Sequence, residues 1–90
     1  MRFEWDETKR QSNIAKHGID FVLASQVFDG RPHLDFESPR GSERRTLRIA
    51  ELEGRVIAVA WTRRGEDRVR LISARRARHG EERAYRQLHG

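Results

Sequence analysis

The 90-residue sequence predicts an α+β fold: two N-terminal helices, a largely antiparallel four-stranded sheet and a C-terminal helix, in a single domain over residues 1–90. Three observations carry that expectation. An aspartate before and a glycine after bracket the segment Glu7–His17, the usual punctuation of a helix. An unbroken apolar run then fills Val56–Trp61 of the segment Arg55–Arg63, and the period of a pleated strand returns from Arg68. From Glu81 the spacing turns helical, with Glu81 and Tyr85 four apart on one face.

In chain order, Phe3 and Trp5 alternate with Arg2 and Glu4, which predicts a short leading strand. Asp6 caps a helix over Glu7–His17, and Gly18 ends it with Ile14 and Ile19 placed to make the accompanying apolar contact. His17, at the helix end, fits a dipole-compatible cap better than a ligand. Asp20 caps a second helix, Phe21–Phe28, whose inward face is Phe21, Ala24, Val27 and Phe28; Asp29-Gly30 closes it. A brief strand His33–Glu37 follows, then a polar turn over Ser38-Pro39-Arg40-Gly41-Ser42. Arg44–Leu52 reads as a strand, and Glu53-Gly54 as a hairpin turn. Arg55–Arg63 is apolar on both faces, with Ile57, Val59 and Trp61 on one and Val56, Ala58 and Ala60 on the other. Such a strand belongs in the middle of a sheet. Arg64–Asp67 turns into the last strand, in which Val69, Leu71 and Ser73 alternate with Arg70, Ile72 and Ala74. The closing helix must cover or flank this meander.

Composition narrows the function. Hydrophobic residues make up 36% and charged residues 37%, so the core is small. The absence of cysteine fits a reducing cytoplasm, the expected location, and no apolar run approaches a targeting segment or a membrane span. Residues 1–36 carry a net charge of −1 and residues 37–90 a net of +6, and every basic side chain after residue 36 is arginine. A guanidinium fork grips phosphate in two parallel hydrogen bonds and stacks on bases, so this half points to nucleic acid; an acidic protein partner satisfies the same charge.

The basic charge peaks between Arg68 and Arg86, where seven arginines meet two acids. A charge run is ordinarily a solvated face, and Glu81 paired with Arg78 or Arg83 at the surface adds only about 0.5 kcal/mol. Against that stands the chemistry these residues allow. The four histidines are scattered without metal-ligand spacing, and no Gly-rich phosphate loop or nucleophile elbow appears. A mid-strand Ser73 is a small packing residue rather than a nucleophile. No cofactor or metal is expected. What remains is RNA cleavage by the substrate's own 2′-hydroxyl, which needs a proton acceptor, cations around the phosphate and a proton donor. Arg70, Arg75, Arg76, Glu81 and Tyr85, with Arg63 and Arg64 from the adjoining strand end, include every part. Spacing alone does not bring them together.

The motif RLISARRA (Arg70–Ala77), followed by Glu81 and Tyr85, resembles the C-terminal signature of the BrnT family of type II toxins. FEWD (Phe3–Asp6), Asn13, KHGIDF (Lys16–Phe21) and VFDG (Val27–Gly30) match in the same order. The resemblance implies a RelE-like fold and a ribonuclease that arrests translation by cutting RNA. It also implies a BrnA-like antitoxin that binds operator DNA, wraps the toxin and represses the operon, so that DNA is met only through the antitoxin. The family's last helix commonly opens with Thr-Pro, whereas Arg78-His79-Gly80 stands here, which predicts a weakly capped first turn and makes His79 a second candidate for the titrating group. On this reading Arg75, helped by Arg70 or Arg64, stabilises the phosphate. Glu81 or His79 takes the 2′-hydroxyl proton, Tyr85 orients the scissile nucleotide or assists proton transfer, and Arg63, Arg76 and Arg78 bind RNA. Two other classes fit less of the sequence. A non-catalytic RNA- or ribosome-binding protein leaves Glu81 and Tyr85 unexplained. A DNA-binding regulator lacks a helix-turn-helix pattern.

Overall fold

A five-stranded sheet, in the order β1-β5-β4-β3-β2, organises the chain. The structure is a computed structural model describing residues 1–40 and 43–90. Its elements are β1 (Arg2–Glu4), α1 (Glu7–His17), α2 (Phe21–Ala24) running on into a 3-10 turn (Ser25–Phe28), β2 (His33–Arg40), β3 (Glu43–Leu52), β4 (Arg55–Arg64), β5 (Arg68–Arg76) and α3 (His79–His89).

β2 to β5 form an antiparallel meander, as expected, with β4 between β3 and β5. The expected four-stranded sheet is one strand short. β1 joins it in parallel beside β5, pairing Arg2 with Arg68 and Glu4 with Arg70. Three residues are too few to show a partner by their period, and a parallel partner far along the chain leaves no turn signal. β2 also outruns its expected end at Glu37, and Ser38–Arg40 belong to the strand. The rest of the expected polar turn, Gly41 and Ser42, lies outside the described residues.

The helix caps follow the sequence. Asp6 accepts hydrogen bonds from the N–H groups of Thr8 and Lys9 at 2.8 and 3.2 Å. Gly18 ends α1 at φ 70°, a left-handed backbone that suits glycine, and its N–H donates to Ile14. Asp20 caps α2 through Val22 N–H and receives two bonds from Arg10 at 2.8 and 2.9 Å, which locks α1 against α2. The second helix is shorter than expected because it tightens at Ser25, whose hydroxyl donates to the Val22 carbonyl.

Two apolar clusters hold the sheet. On one face α1, α2 and the 3-10 turn bury Phe21, Ala24 and Val27 against Val59, Trp61, Val69, Leu71 and Ala74. Each large side chain fully buried there contributes about 1.5–3 kcal/mol before entropy is counted. On the opposite face α3 sets Tyr85 on Ile49, Val56 and Ala58. Arg48 belongs to the first face and to the architecture: its guanidinium lies 4.5 Å from the centre of the Phe28 ring and donates to both oxygens of Asp35 at 2.9 Å. Asn13, buried on α1, clamps the outer edge of β5 beyond the end of β1. Its Oδ1 accepts from Ala74 N–H at 3.0 Å, and its Nδ2 donates to the carbonyls of Ala74 and Ile19 at 2.8 Å.

The alternation read in β5 breaks at one residue. Ser73 pairs with Ala60 and Leu71 pairs with Trp61, so Ile72 is a bulge without a counterpart on β4. The buried positions are accordingly Val69, Leu71 and Ala74. Strict alternation puts Arg70 and Arg75 on opposite faces, whereas the bulge sets Arg70, Ser73 and Arg75 on the same one, the face that carries α3.

Candidate active site

α3 crosses only part of its face, over Ile49, Val56 and Ala58. Beyond its N-terminus a cleft of about 380 Å³ opens, lined by Ser38, Arg45, Thr46, Leu47, Ala60, Ser73, Arg75, Arg78 and Glu81. β5 delivers Ser73 and Arg75 after the bulge, β3 delivers Arg45 and Leu47, and Arg78 and Glu81 come from the cap and first turn of α3. Glu81 is the one carboxylate among the described residues lining it.

Arg75 and Glu81 are bound fork to fork, with Nη1 to Oε1 and Nη2 to Oε2 both 2.9 Å. Glu81 Oε1 also accepts the backbone N–H of Arg78 at 2.8 Å. α3 therefore starts at His79 rather than at Glu81, and Glu81 supplies the cap that Arg78-His79-Gly80 lacks in sequence. The Arg75 guanidinium, and after it the Arg78 N–H, hold the Glu81 carboxyl below its ordinary range despite the opposing effect of burial. Arg75 is raised in turn by the same carboxylate.

The structure brings together three of the residues singled out from sequence: Arg75, Arg78 and Glu81. It places the others elsewhere. Arg70 shares the face but donates to Glu4 at 2.9 Å, beside β1. Arg63 and Arg64 close β4 and line a separate cleft with Arg44, Thr46 and Trp61. Arg76 follows Arg75 on the strand and so projects to the opposite face, where it is exposed. His79 is exposed on the first turn of α3, its Nε2 2.8 Å from Arg83 Nη2, outside the Arg75 cleft. Tyr85 is 5% exposed, packs from α3 onto the sheet, and lines a separate cleft with Arg31, Glu51 and His89. Sequence reasoning missed Arg45. It belongs to a strand whose alternation is poor, and only its cross-strand position opposite Ser38 reveals that it faces the site. Among the described residues no group of three His, Asp or Glu side chains is placed to hold a metal ion.

An α+β protein whose half-covered sheet gathers guanidinium groups around the Glu81 carboxylate has a cleft built for an anionic ligand. Residues 5–81 match the family model for the ribonuclease toxin BrnT of type II toxin-antitoxin systems. The crystal structure of the Brucella abortus ribonuclease toxin BrnT is similar, with a TM-score of 0.70 and 38% identity, covering 88% of this chain and 99% of that one. No curated protein sequence matches. The chain belongs to the BrnT family of ribonuclease toxins. The matched span takes in every residue of the Arg75 cleft and stops before Tyr85. The family implies an RNA substrate and an antitoxin partner. No helix among the described residues is long and apolar enough to cross a membrane.

Proposed function

We propose that this BrnT-family chain is a metal-independent endoribonuclease that cuts RNA in the Arg75 cleft and so inhibits translation in the cytoplasm. The observation that carries the reading is the convergence of Arg45, Arg75 and Arg78 on one cleft in which Glu81 is the single carboxylate among the described residues. In the resting protein Glu81 fills the fork of Arg75. An incoming phosphate competes for that fork, held also by Arg45 and Arg78. The carboxylate it displaces loses the partner that most depresses its pKa, and becomes basic enough to take the 2′-hydroxyl proton. The 2′-oxygen then bonds to phosphorus, the bond from phosphorus to the 5′-oxygen breaks, and water in the open cleft protonates the leaving oxygen. The products are a 2′,3′-cyclic phosphate and a 5′-hydroxyl. His79, two residues away on the same turn, is the alternative base. Arg64, Arg70 and Arg63 extend the basic track along the strand ends, and the RelE-like arrangement implied by the resemblance belongs to this reading.

A BrnA-like antitoxin is the proposed partner, laying an acidic or amphipathic segment over the cleft and carrying the complex to operator DNA. Arg75→Ala then weakens antitoxin binding as well as toxicity, and Arg76→Ala, from the other face, weakens it only where the antitoxin wraps round β5.

One observation favours a second reading, a non-catalytic RNA- or ribosome-binding protein: a carboxylate held in a two-pronged ion pair is a poor base. Incubating the purified chain with single-stranded RNA in excess chelator decides between them. Cyclic phosphate ends support the enzyme. Intact RNA that binds with a steep salt dependence, a log–log slope of a few units, supports the binder. Products with a 5′-phosphate, or activity abolished by the chelator, overturn the proposed mechanism.

A further inference from the structure

Beside the Arg75 cleft runs an apolar groove that the chemistry above leaves unused. It is lined by Phe36, Ser38, Leu47, Arg78, Gly80 and Glu81, and it shares Ser38, Leu47, Arg78 and Glu81 with the cleft. Phe36 stands opposite Leu47 in the β2–β3 ladder, on the α3 face, and is 40% exposed. An aromatic ring left that open beside guanidinium groups is suited to a planar, uncharged group attached to a phosphate. Gly80 forms the facing wall. Its backbone has no positive φ and a β-carbon there meets nothing within 4 Å, so neither conformation nor packing demands glycine. What the missing side chain provides is space.

We infer that this groove is a nucleobase site, in which Phe36 stacks an unpaired base of single-stranded RNA next to the phosphate held by Arg75 and Arg78. The inference rests on the ribonuclease reading and adds to it a selection for unpaired strands. A base in a duplex is already stacked on both faces and cannot lie on the ring, so helical RNA is a poor substrate.

The test uses single-stranded RNA oligonucleotides blocked against cleavage by 2′-deoxy substitution, some carrying one abasic position. Stacking on an aromatic residue is worth about 1–3 kcal/mol per base, or roughly 5- to 150-fold in affinity. Phe36→Leu keeps the apolar contact with Leu47 and loses the stacking face. It is expected to weaken binding about tenfold, near the lower end of that range. Phe36→Tyr restores binding. The wild-type protein loses a similar factor when one position is abasic, and Phe36→Leu loses nothing further there. Gly80→Leu fills the groove and weakens the base-containing strand, while adding little to the loss already seen on the strand with one abasic position. Wild-type affinity in Phe36→Leu, or an equal loss on base-containing and abasic strands, overturns the inference while Arg75-dependent binding leaves the ribonuclease reading intact. A wild-type protein that binds no RNA overturns both. Weakened antitoxin binding with unchanged RNA binding assigns the groove to the protein partner and overturns the inference.

Discussion

Arg75 and Glu81 join the end of β5 to the start of α3 through two 2.9 Å hydrogen bonds, with side chains 21% and 18% exposed. The pair holds the helix over the sheet and, on the proposed reading, also sets the catalytic residues at rest. The two roles separate by measurement. Arg75→Ala is expected to slow cleavage about 100- to 1000-fold, and Glu81→Gln about 100- to 10000-fold. The stability lost is on the order of 1–2 kcal/mol, because hydrogen bonds between charged groups disappear at a partly covered site. Single-turnover cleavage and urea unfolding of each variant give both numbers. Full cleavage by the two variants moves the site off this cleft.

Acid should loosen the fold. The Glu81 carboxyl sits below its ordinary value of 4.5, and Asp20 is pulled down to about 2 by its hydrogen bonds with Arg10. As pH falls toward these depressed values, the unfolded chain takes up protons that the folded chain still refuses. Stability from both pairs is complete above about pH 5 and drains away below it. Urea midpoints between pH 7 and 3 follow the loss. Glu81→Gln should flatten the acid limb, and an unchanged slope in that variant removes Glu81 from the account.

Asn13 makes three hydrogen bonds from a buried position, two of them to the strand edge at Ala74. Asn13→Ala leaves buried backbone groups without partners, at a cost on the order of 3 kcal/mol. Asn13→Asp is worse, since a carboxylate replaces a donor facing two carbonyls. Hydrogen exchange at the Ala74 amide should accelerate in both. Protection equal to the wild type shows that the β5 edge holds without the clamp.

Tyr85 packs against Ile49, Val56 and Ala58 and lies outside the Arg75 cleft. Tyr85→Phe keeps that packing and should leave the cleavage rate nearly unchanged, while Tyr85→Ala costs about 3–5 kcal/mol as other aromatic truncations do. Thermal melting alongside cleavage distinguishes them. A folded but inactive Tyr85→Phe returns the phenol to the chemistry.

Much of this was legible in the residues. Asp6, Gly18 and Asp20 announce their helices because capping is local chemistry, and the two-sided apolar run of β4 announces a central strand. The parallel seat of β1 was hidden, since its partner lies far along the chain. The site was half legible for the same reason. Arg75 and Glu81 are near in sequence and meet in space, but Arg45 arrives through a cross-strand register, and Ile72 shifts the face of the residues before it. Glu81 and Tyr85 do share a helical face, yet that face runs from the open cleft to the packed core, so four residues of spacing set the phenol outside the lining of the Arg75 cleft.

The interior seat of β5 has a consequence for timing. It follows four strands in synthesis, yet lies between the earliest strand and its own predecessor. Until it inserts, β1 has nothing to pair with, β4 presents a bare edge, and Ser73 and Arg75 are absent from the cleft. A chain truncated ahead of Arg68 thus loses the strand that joins β1 to β4, although Phe21, Ala24 and Val27 keep β3 and β4 to pack on. The closing contacts link residues as distant as Glu4 and Arg70, 66 positions apart, and pairings of such long range form slowly as a class. The cleft is complete only once the last strand is in place, since Ser73 and Arg75 both come from it.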